Sequence, residues 1–360
     1  MLTDVIAYDG GYLGVGGTTA EESSSSAAIW LSADGTEWTV LPVTTAPADA
    51  LWAGLAPAHV AAVADRLVVL AWGPSVPTVY VADGPEGPWA AMDLGEEACP
   101  TSLASSGSSV VVVGAIGACG YGGTTRPAVW VSQDGAIWEL AELTSAGTGG
   151  GWVSGVIGVE DGYIGWGRWL EEPICDVGCE VDVGTDPYAG APWVSADGTA
   201  WQRIDDPEPF LDTLVEQVVT IGDVYLALGW RGQGEGQVRA MWSSSDGASW
   251  EPLADEPPFL AAEPGTPAWS NQRIGGGSSG LVAWTTEATT STLWYSFDGS
   301  AWETGATLDG LVSLVKVVDD RFFAFGTREE ADPGITLPCT KDQVIAGRCR
   351  TLAVTWLGEP

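Results

Sequence analysis

A short motif recurs along this chain at a nearly constant interval. The pattern Ser-x-Asp-Gly-x-x-Trp occurs five times intact, and a degenerate sixth copy has its Trp displaced by two residues. Successive motif aspartates are 49, 51, 63, 49 and 52 residues apart. Such self-similarity indicates a repeat architecture in which each unit packs against its neighbours. The aspartates of the six copies are Asp34, Asp83, Asp134, Asp197, Asp246 and Asp298.

Each period also contains a second hairpin upstream of the motif, as at Asp9-Gly10, where a turn separates two apolar segments. Each unit is therefore four short strands, A to D, with the motif in the C–D turn. No segment shows a sustained 3.6-residue apolar period, so we expect almost no helix. The seven units begin near residues 2, 51, 101, 152, 212, 271 and 311.

Units of this kind predict an all-β fold, a seven-bladed β-propeller of four-stranded antiparallel blades that spans residues 1–360 as a single domain. A linear β-solenoid is the alternative, but its repeats are usually much shorter. Because the sequence ends soon after the seventh strand C, we expect the last blade to lack its outer strand.

The motif resembles the Asp-box, or bacterial neuraminidase repeat, of sialidase-like propellers, although each copy has one residue fewer between Asp and Gly. The resemblance implies a structural role for the six aspartates, in turns on the face away from the active site. The carboxylate would accept backbone N–H groups, Gly would supply positive φ, and Trp would cover the turn. Sialidases also use three arginines, a Tyr–Glu pair and an Asp. The family's early Arg-Ile-Pro signature is absent here, since Arg66 is the first arginine.

Twelve of the 20 tryptophans belong to the repeating C–D hairpins, and the other eight lie before a strand A or after a strand B. The D–A and B–C connections share one face, which we call the loop-rich face; the opposite one is the Asp-turn face. Aromatic side chains there could stack on sugars or anchor a protein, or they could pack between blades. The arginines could bind a ligand or pair with loop carboxylates. The candidate ligand-binding residues are Trp52, Trp152, Trp166, Trp169, Trp230, Trp269, Arg168, Arg231 and Arg328.

All six cysteines fall in loops of the loop-rich face. Six cysteines allow 15 pairings, and the propeller frame favours the sequence neighbours. Zinc is the rival interpretation, but no second Cys pair or histidine lies nearby. Disulfides predict an oxidising compartment, although no signal peptide precedes the first strand. We therefore expect an exported mature segment or ectodomain. The expected pairs are Cys99–Cys119, Cys175–Cys179 and Cys339–Cys349.

Charge and hydropathy limit the classes of partner that this chain can bind. With 48 acidic and 13 basic residues, the net charge of −35 opposes nucleic-acid binding. The longest apolar run, Val110 to Ala115, is too short to enter a membrane. No cofactor or metal is expected, except that the acidic loop 171–186 leaves calcium open. The single histidine, His59, has no catalytic partner in a recognisable motif.

We expect a monomeric, secreted or surface-displayed binding propeller without catalytic residues, whose ligand is a glycan or a protein surface on the loop-rich face. The alternatives are a sialidase-like glycoside hydrolase or lyase, which needs carboxylates converging in one pocket, and a structural part of an envelope protein.

Overall fold

The computed structural model of the chain describes residues 2–20, 24–41, 56–72, 77–117, 119, 125–144, 150–169, 189–204, 210, 213–232, 237–253, 257–260, 273–287, 289–319, 321–331 and 349–358. Their secondary structure is almost wholly β, and the one helical element among them is a 3-10 turn at Pro258–Leu260. None of the described helices is long and apolar enough to span a membrane.

The strands form seven sheets, which are the seven blades predicted from the repeat. Those of blades 1 to 3 are β1 (Leu2–Tyr8), β2 (Gly11–Ala20), β3 (Ser24–Ser32), β4 (Thr39–Leu41), β5 (Ala56–Val63), β6 (Arg66–Trp72), β7 (Thr78–Ala82), β8 (Ala90–Ala91), β9 (Ala98–Ser106), β10 (Ser109–Ile116), β11 (Arg126–Ser132) and β12 (Glu139–Leu140). Those of blades 4 and 5 are β13 (Glu142–Thr144), β14 (Gly151–Val159), β15 (Gly162–Trp169), β16 (Ala189–Ser195), β17 (Ala200–Arg203), β18 (Thr213–Ile221), β19 (Val224–Arg231), β20 (Val238–Ser244) and β21 (Glu251–Pro252). Those of blades 6 and 7 are β22 (Arg273–Gly277), β23 (Gly280–Glu287), β24 (Thr290–Ser296), β25 (Glu303–Asp309), β26 (Leu311–Val318), β27 (Arg321–Ala331) and β28 (Cys349–Gly358).

The blades are up-and-down antiparallel sheets with two variations. Blade 4 has a fifth strand, because β13 pairs in parallel with the outer strand β17. Blade 7 has three strands among the described residues, β26-β27-β28, as the sequence predicted. The innermost strands β1, β5, β9, β14, β18, β22 and β26 contact one another in succession, and β26 contacts β1, so the blades close into a ring.

The repeated turns hold the blades together from the Asp-turn face. In the five intact copies, the Asp Oδ1 accepts the N–H groups of the second and third residues after it. The Ser hydroxyl accepts the Gly N–H at 2.8–2.9 Å, and the Trp indole donates to the Gly carbonyl at 2.8–3.1 Å. The degenerate turn differs, because Asp83 pairs with Arg66 Nε at 2.8 Å and the Trp89 indole reaches the Pro85 carbonyl.

The glycine of each intact turn lies against the preceding blade. Gly198 of blade 4 has a φ of +83°, and a Cβ atom there would lie 2.7 Å from Val111 of blade 3. Gly35 of blade 1 lies in the same way against Phe323 of blade 7, where a Cβ would approach to 2.5 Å. Only glycine combines this backbone conformation with so close an approach, so the motif joins each blade to its neighbour, including across the closure of the ring.

Candidate functional site

The loop-rich end of blade 4 carries a half-exposed tryptophan and arginine from the predicted set. Trp152 begins strand A and Arg168 lies near the end of strand B, and the two residues are directly opposite each other in the β14–β15 register. The Arg168 guanidinium lies over the Trp152 ring, 5.6 Å from its centroid. A guanidinium over an indole face is a cation–π contact, which orients both groups.

Arg231 extends this group across the seam between blades 4 and 5. Arg168 is opposite Gly190 in the blade 4 register, and Arg231 is opposite Thr213 in blade 5. Gly190 and Thr213 are in close contact, since a Cβ on Gly190 would lie 2.7 Å from Thr213 Oγ1. The two arginines therefore flank the same seam, and the Arg231 side chain is exposed. We call Trp152, Arg168 and Arg231 the seam group.

Arg328, the third predicted arginine, lies apart in blade 7. Its guanidinium pairs with Glu330 at 3.2 Å, so it follows the alternative interpretation, in which the arginines neutralise nearby carboxylates.

Trp166, Trp169 and Trp230 are not exposed anchors, and this part of the prediction is corrected. They are 8%, 2% and 9% exposed. Trp166 packs against blade 5, whereas Trp169 belongs to the core between blades 3 and 4. Strand B is covered on both faces by its neighbouring blades, so its large side chains are buried up to the strand's end. By contrast, Trp72 at the end of strand B in blade 2 is 44% exposed.

Arginines cover two of these buried tryptophans. The Arg203 guanidinium lies 4.8 Å from the Trp169 ring centroid, and the Arg239 guanidinium lies 4.1 Å from that of Trp230. Glu216 joins the second pair, with one carboxylate oxygen accepting the Trp230 indole N–H at 2.9 Å and the other bonding Arg239. The three Arg–Trp pairs of the described residues thus lie at the loop-rich ends of blades 4 and 5.

Several predicted residues lie outside the described part of the chain. Trp52, Trp269, Cys175, Cys179, Cys339 and the acidic loop 171–186 are among them, as is the side chain of Cys349. The structure has a disulfide between Cys99 and Cys119, with a Cα–Cα distance of 5.5 Å. Within the described residues, no three His, Cys, Asp or Glu side chains are arranged to hold a metal ion.

A ring of equivalent positions on the seven innermost strands forms a second group, which sequence analysis missed. The β-bulges of six of these strands shift the register by one residue. In each blade, one strand B residue faces the Trp of strand C, or its counterpart, and pairs on its other side with a residue of strand A. The strand A residue just before that partner occupies the same position in all seven blades. Because the innermost strands of a propeller surround its central channel, we call these residues the channel ring: Asp4, His59, Ser102, Gly155, Gln217, Arg273 and Leu314.

Asp4 of the channel ring ties three blades together. Its carboxylate is buried, accepts the Val60 N–H of blade 2 at 3.0 Å, and pairs with Lys316 Nζ of blade 7 at 2.8 Å. His59 Nδ1 lies 3.9 Å from the same carboxylate. Gln217 has a related role, since its side chain bonds both the N–H and the carbonyl of Ile274 in blade 6. These side chains satisfy edge groups that the innermost strands leave unpaired.

Asp4 is therefore an acidic neighbour of His59 that no sequence motif indicated. Desolvation by burial is the main cause that lowers the pKa of His59; Asp4 opposes this effect, while the charges of Lys316 and Arg273 add to it. The imidazole is neutral at neutral pH as a result. One feature of the sequence could have indicated this group, because the single histidine and one of only two lysines both fall in strands A.

Two arrangements resemble catalytic pairs but lie on other parts of the molecule. The Tyr295 hydroxyl donates to Glu303 at 2.5 Å, in the outer strands of blade 6. This bond raises the pKa of Tyr295, which is the wrong direction for a nucleophile. A cleft of about 630 Å³ on the Asp-turn face is lined by Asp161 and Asp246. Bonds from the turn around Ser249 lower the pKa of Asp246, so this carboxyl is a poor general acid.

Comparison with known proteins supports the fold class. No family model matches the sequence, and no curated protein matches it. The β-propeller domain of the Trilobed protease from Pyrococcus furiosus, described as having an open velcro topology, is 11% identical, with 90% of each chain covered and a TM-score of 0.50. A prolyl endopeptidase is 11% identical with a TM-score of 0.51, over all of this chain and 50% of that one. The Aleuria aurantia lectin is 12% identical with a TM-score of 0.42, over 85% and 94% of the two chains.

At these identities the likeness concerns the fold alone. The chain is a seven-bladed β-propeller.

Proposed function

We propose that this propeller is a secreted or surface-displayed binding module that holds a glycan on its loop-rich face, at the seam of blades 4 and 5, without catalysing its cleavage. The observation that carries the proposal is the seam group. It combines a half-exposed indole, a guanidinium that lies over one face of its ring and an exposed guanidinium from the next blade.

The chemistry of the seam group suits a sugar. An indole offers a flat apolar surface for the C–H face of a pyranose ring. Guanidinium groups donate several N–H bonds in a fixed geometry to hydroxyl or carboxyl oxygens. Arg168 is already oriented by Trp152 and stands on a strand, so less side-chain entropy is lost on binding than with a free loop arginine.

The arrangement of acidic groups favours binding over hydrolysis. Glycoside hydrolysis needs two carboxyl groups about 5–10 Å apart around the scissile bond. The residues of the seam group are basic and aromatic, and the Tyr295–Glu303 pair lies in outer strands of another blade. The Cys99–Cys119 disulfide supports export, because disulfides persist in oxidising compartments.

A glycan-array screen of the intact protein tests the proposal, with product analysis of every glycan bound. We expect a restricted set of bound glycans, none of them cleaved. Trp152→Ala should weaken the signals, whereas Phe297→Ala, which removes a 66% exposed aromatic from the Asp-turn face, should leave them unchanged. An empty array would contradict glycan binding and favour a protein ligand. Cleaved products would instead establish the glycoside hydrolase.

A further inference from the structure

The channel ring, taken together with Lys316 beside it, has a charge opposite to that of the protein as a whole. The chain has a net charge of −35, yet Arg273, His59 and Lys316 are contributed by the innermost strands of three different blades. One carboxylate, that of Asp4, pairs with Lys316. Among the described residues Arg273 has no acidic partner, so with His59 neutral these four groups have a net charge of +1.

Lys316 and His59 lie around one carboxylate, and Arg273 belongs to β22, an innermost strand that contacts the strand of Lys316. Lys316 and His59 both approach the Asp4 carboxylate, at 2.8 Å and 3.9 Å. Arg273 occupies the channel-ring position equivalent to that of His59, and its charge is felt at the imidazole.

The basic groups are also accessible. The side chains of Lys316 and His59 are 40% and 36% exposed, and Arg273 is exposed. Arg273 is the first residue of β22 and His59 the fourth of β5. Like His59, the other ring positions lie near the middle of their strands, as with Gln217, the fifth of nine residues of β18.

We propose that the channel ring forms, together with Lys316, an anion-binding site, which takes a carboxylate or sulfate group between Arg273, Lys316 and His59. Cationic side chains bind oxyanions by charge-assisted hydrogen bonds. Arg273 offers several N–H donors in a fork, and His59 offers one N–H donor. Lys316 offers an ammonium group that also pairs with Asp4. The anion could be the acidic group of a glycan or a free inorganic ion, because the recognising chemistry is the same.

The single histidine provides a direct readout. His59 is the only histidine of the chain, so its imidazole NMR signals need no assignment. An anion bound beside it stabilises the protonated ring. We therefore expect glucuronate to shift the His59 signals in a saturable manner and to raise the pH at which they titrate, while neutral glucose has no effect. The same titration with sulfate tests the free inorganic ion. If glucuronate binds more tightly than sulfate, the anion is the acidic group of a glycan; if sulfate binds more tightly, it is an inorganic ion.

Variants locate the site. Arg273→Gln should weaken glucuronate and sulfate binding about ten- to hundredfold, the loss expected for a bond to a charged group. Arg126→Gln makes the same charge change at an exposed residue of strand C in blade 3 and should leave binding unchanged. Lys316→Gln should also weaken binding. Because this change also removes the ion-pair partner of Asp4, its effect is not specific to the anion, and Arg273→Gln is the decisive variant. Trp152→Ala should leave the His59 response intact, which separates this site from the seam group.

The proposal is overturned if neither anion shifts the His59 signals, if glucose shifts them equally, or if Arg273→Gln and Arg126→Gln bind alike.

Discussion

Replacing Asp4 with alanine should destabilise the ring where blades 7, 1 and 2 meet. The change removes the acceptor of the Val60 N–H at 3.0 Å and the partner of Lys316 at 2.8 Å. An orphaned buried N–H costs about 1–3 kcal/mol, and breaking a buried ion pair costs about 3–5 kcal/mol. Since Lys316 is 40% exposed and can regain water, we expect a total of about 3 kcal/mol.

The assay is thermal unfolding followed by tryptophan fluorescence. At about 2.1 cal/mol/K per residue, the 360 residues have an unfolding entropy of roughly 0.76 kcal/mol/K, so about 3 kcal/mol lowers Tm by about 4 °C. Asp9→Asn is the matched control, because it removes one negative charge from an exposed turn of the same blade, and Asn tolerates positive φ. If Asp4→Ala melts within about 1 °C of this control, the carboxylate does not join the three blades.

Four further outcomes follow from the described contacts. Trp169→Ala should cost about 3–5 kcal/mol in urea unfolding, because the side chain is 2% exposed. Gly198→Ala should cost about 1–2 kcal/mol in the same assay, from its φ of +83° and the contact with Val111, whereas Gly84→Ala, with no atom within 4 Å, should be near neutral. Bonds from Thr36 and Glu37 lower the pKa of Asp34 from 3.8 to about 2. Its stabilising effect is therefore present above pH 3.8 and lost as the pH falls towards 2, so the Tm difference between wild type and Asp34→Asn should shrink over that range. Reduction of the Cys99–Cys119 disulfide, whose cysteines are 20 residues apart, should lower the unfolding free energy by about 2–4 kcal/mol.

The number of blades could be predicted because one turn per unit has a strict chemical requirement. The Asp, Gly and Trp of each intact turn make the same bonds, and the glycine lies against the preceding blade. Such a turn tolerates little variation, so the motif and its interval along the chain can be recognised in the sequence. The fifth strand of blade 4 has no comparable requirement, since Glu142–Thr144 pairs in parallel with an outer edge that any short extended segment could cover.

The burial of Trp169 could not be predicted from its place after strand B. Both faces of that strand are covered by neighbouring blades, so apolar and polar positions do not alternate in a way that shows where the core ends. The channel ring was hidden for a different reason. A bulge before Asp4, and another before His59, shifts each register by one residue, and a bulge leaves no reliable mark in a single sequence.

Ligand binding at the seam group on the loop-rich face is tested most directly by titrating the strongest glycan from the array against wild type, Trp152→Ala, Arg231→Gln and Phe297→Ala, with a thermal melt of each protein. We predict that Trp152→Ala weakens binding by roughly 5- to 100-fold, that Arg231→Gln weakens it by about tenfold, and that both variants keep Tm within about 2 °C of wild type. Phe297→Ala should bind like wild type. Unchanged affinity in both seam variants would show that the ligand binds elsewhere on the propeller.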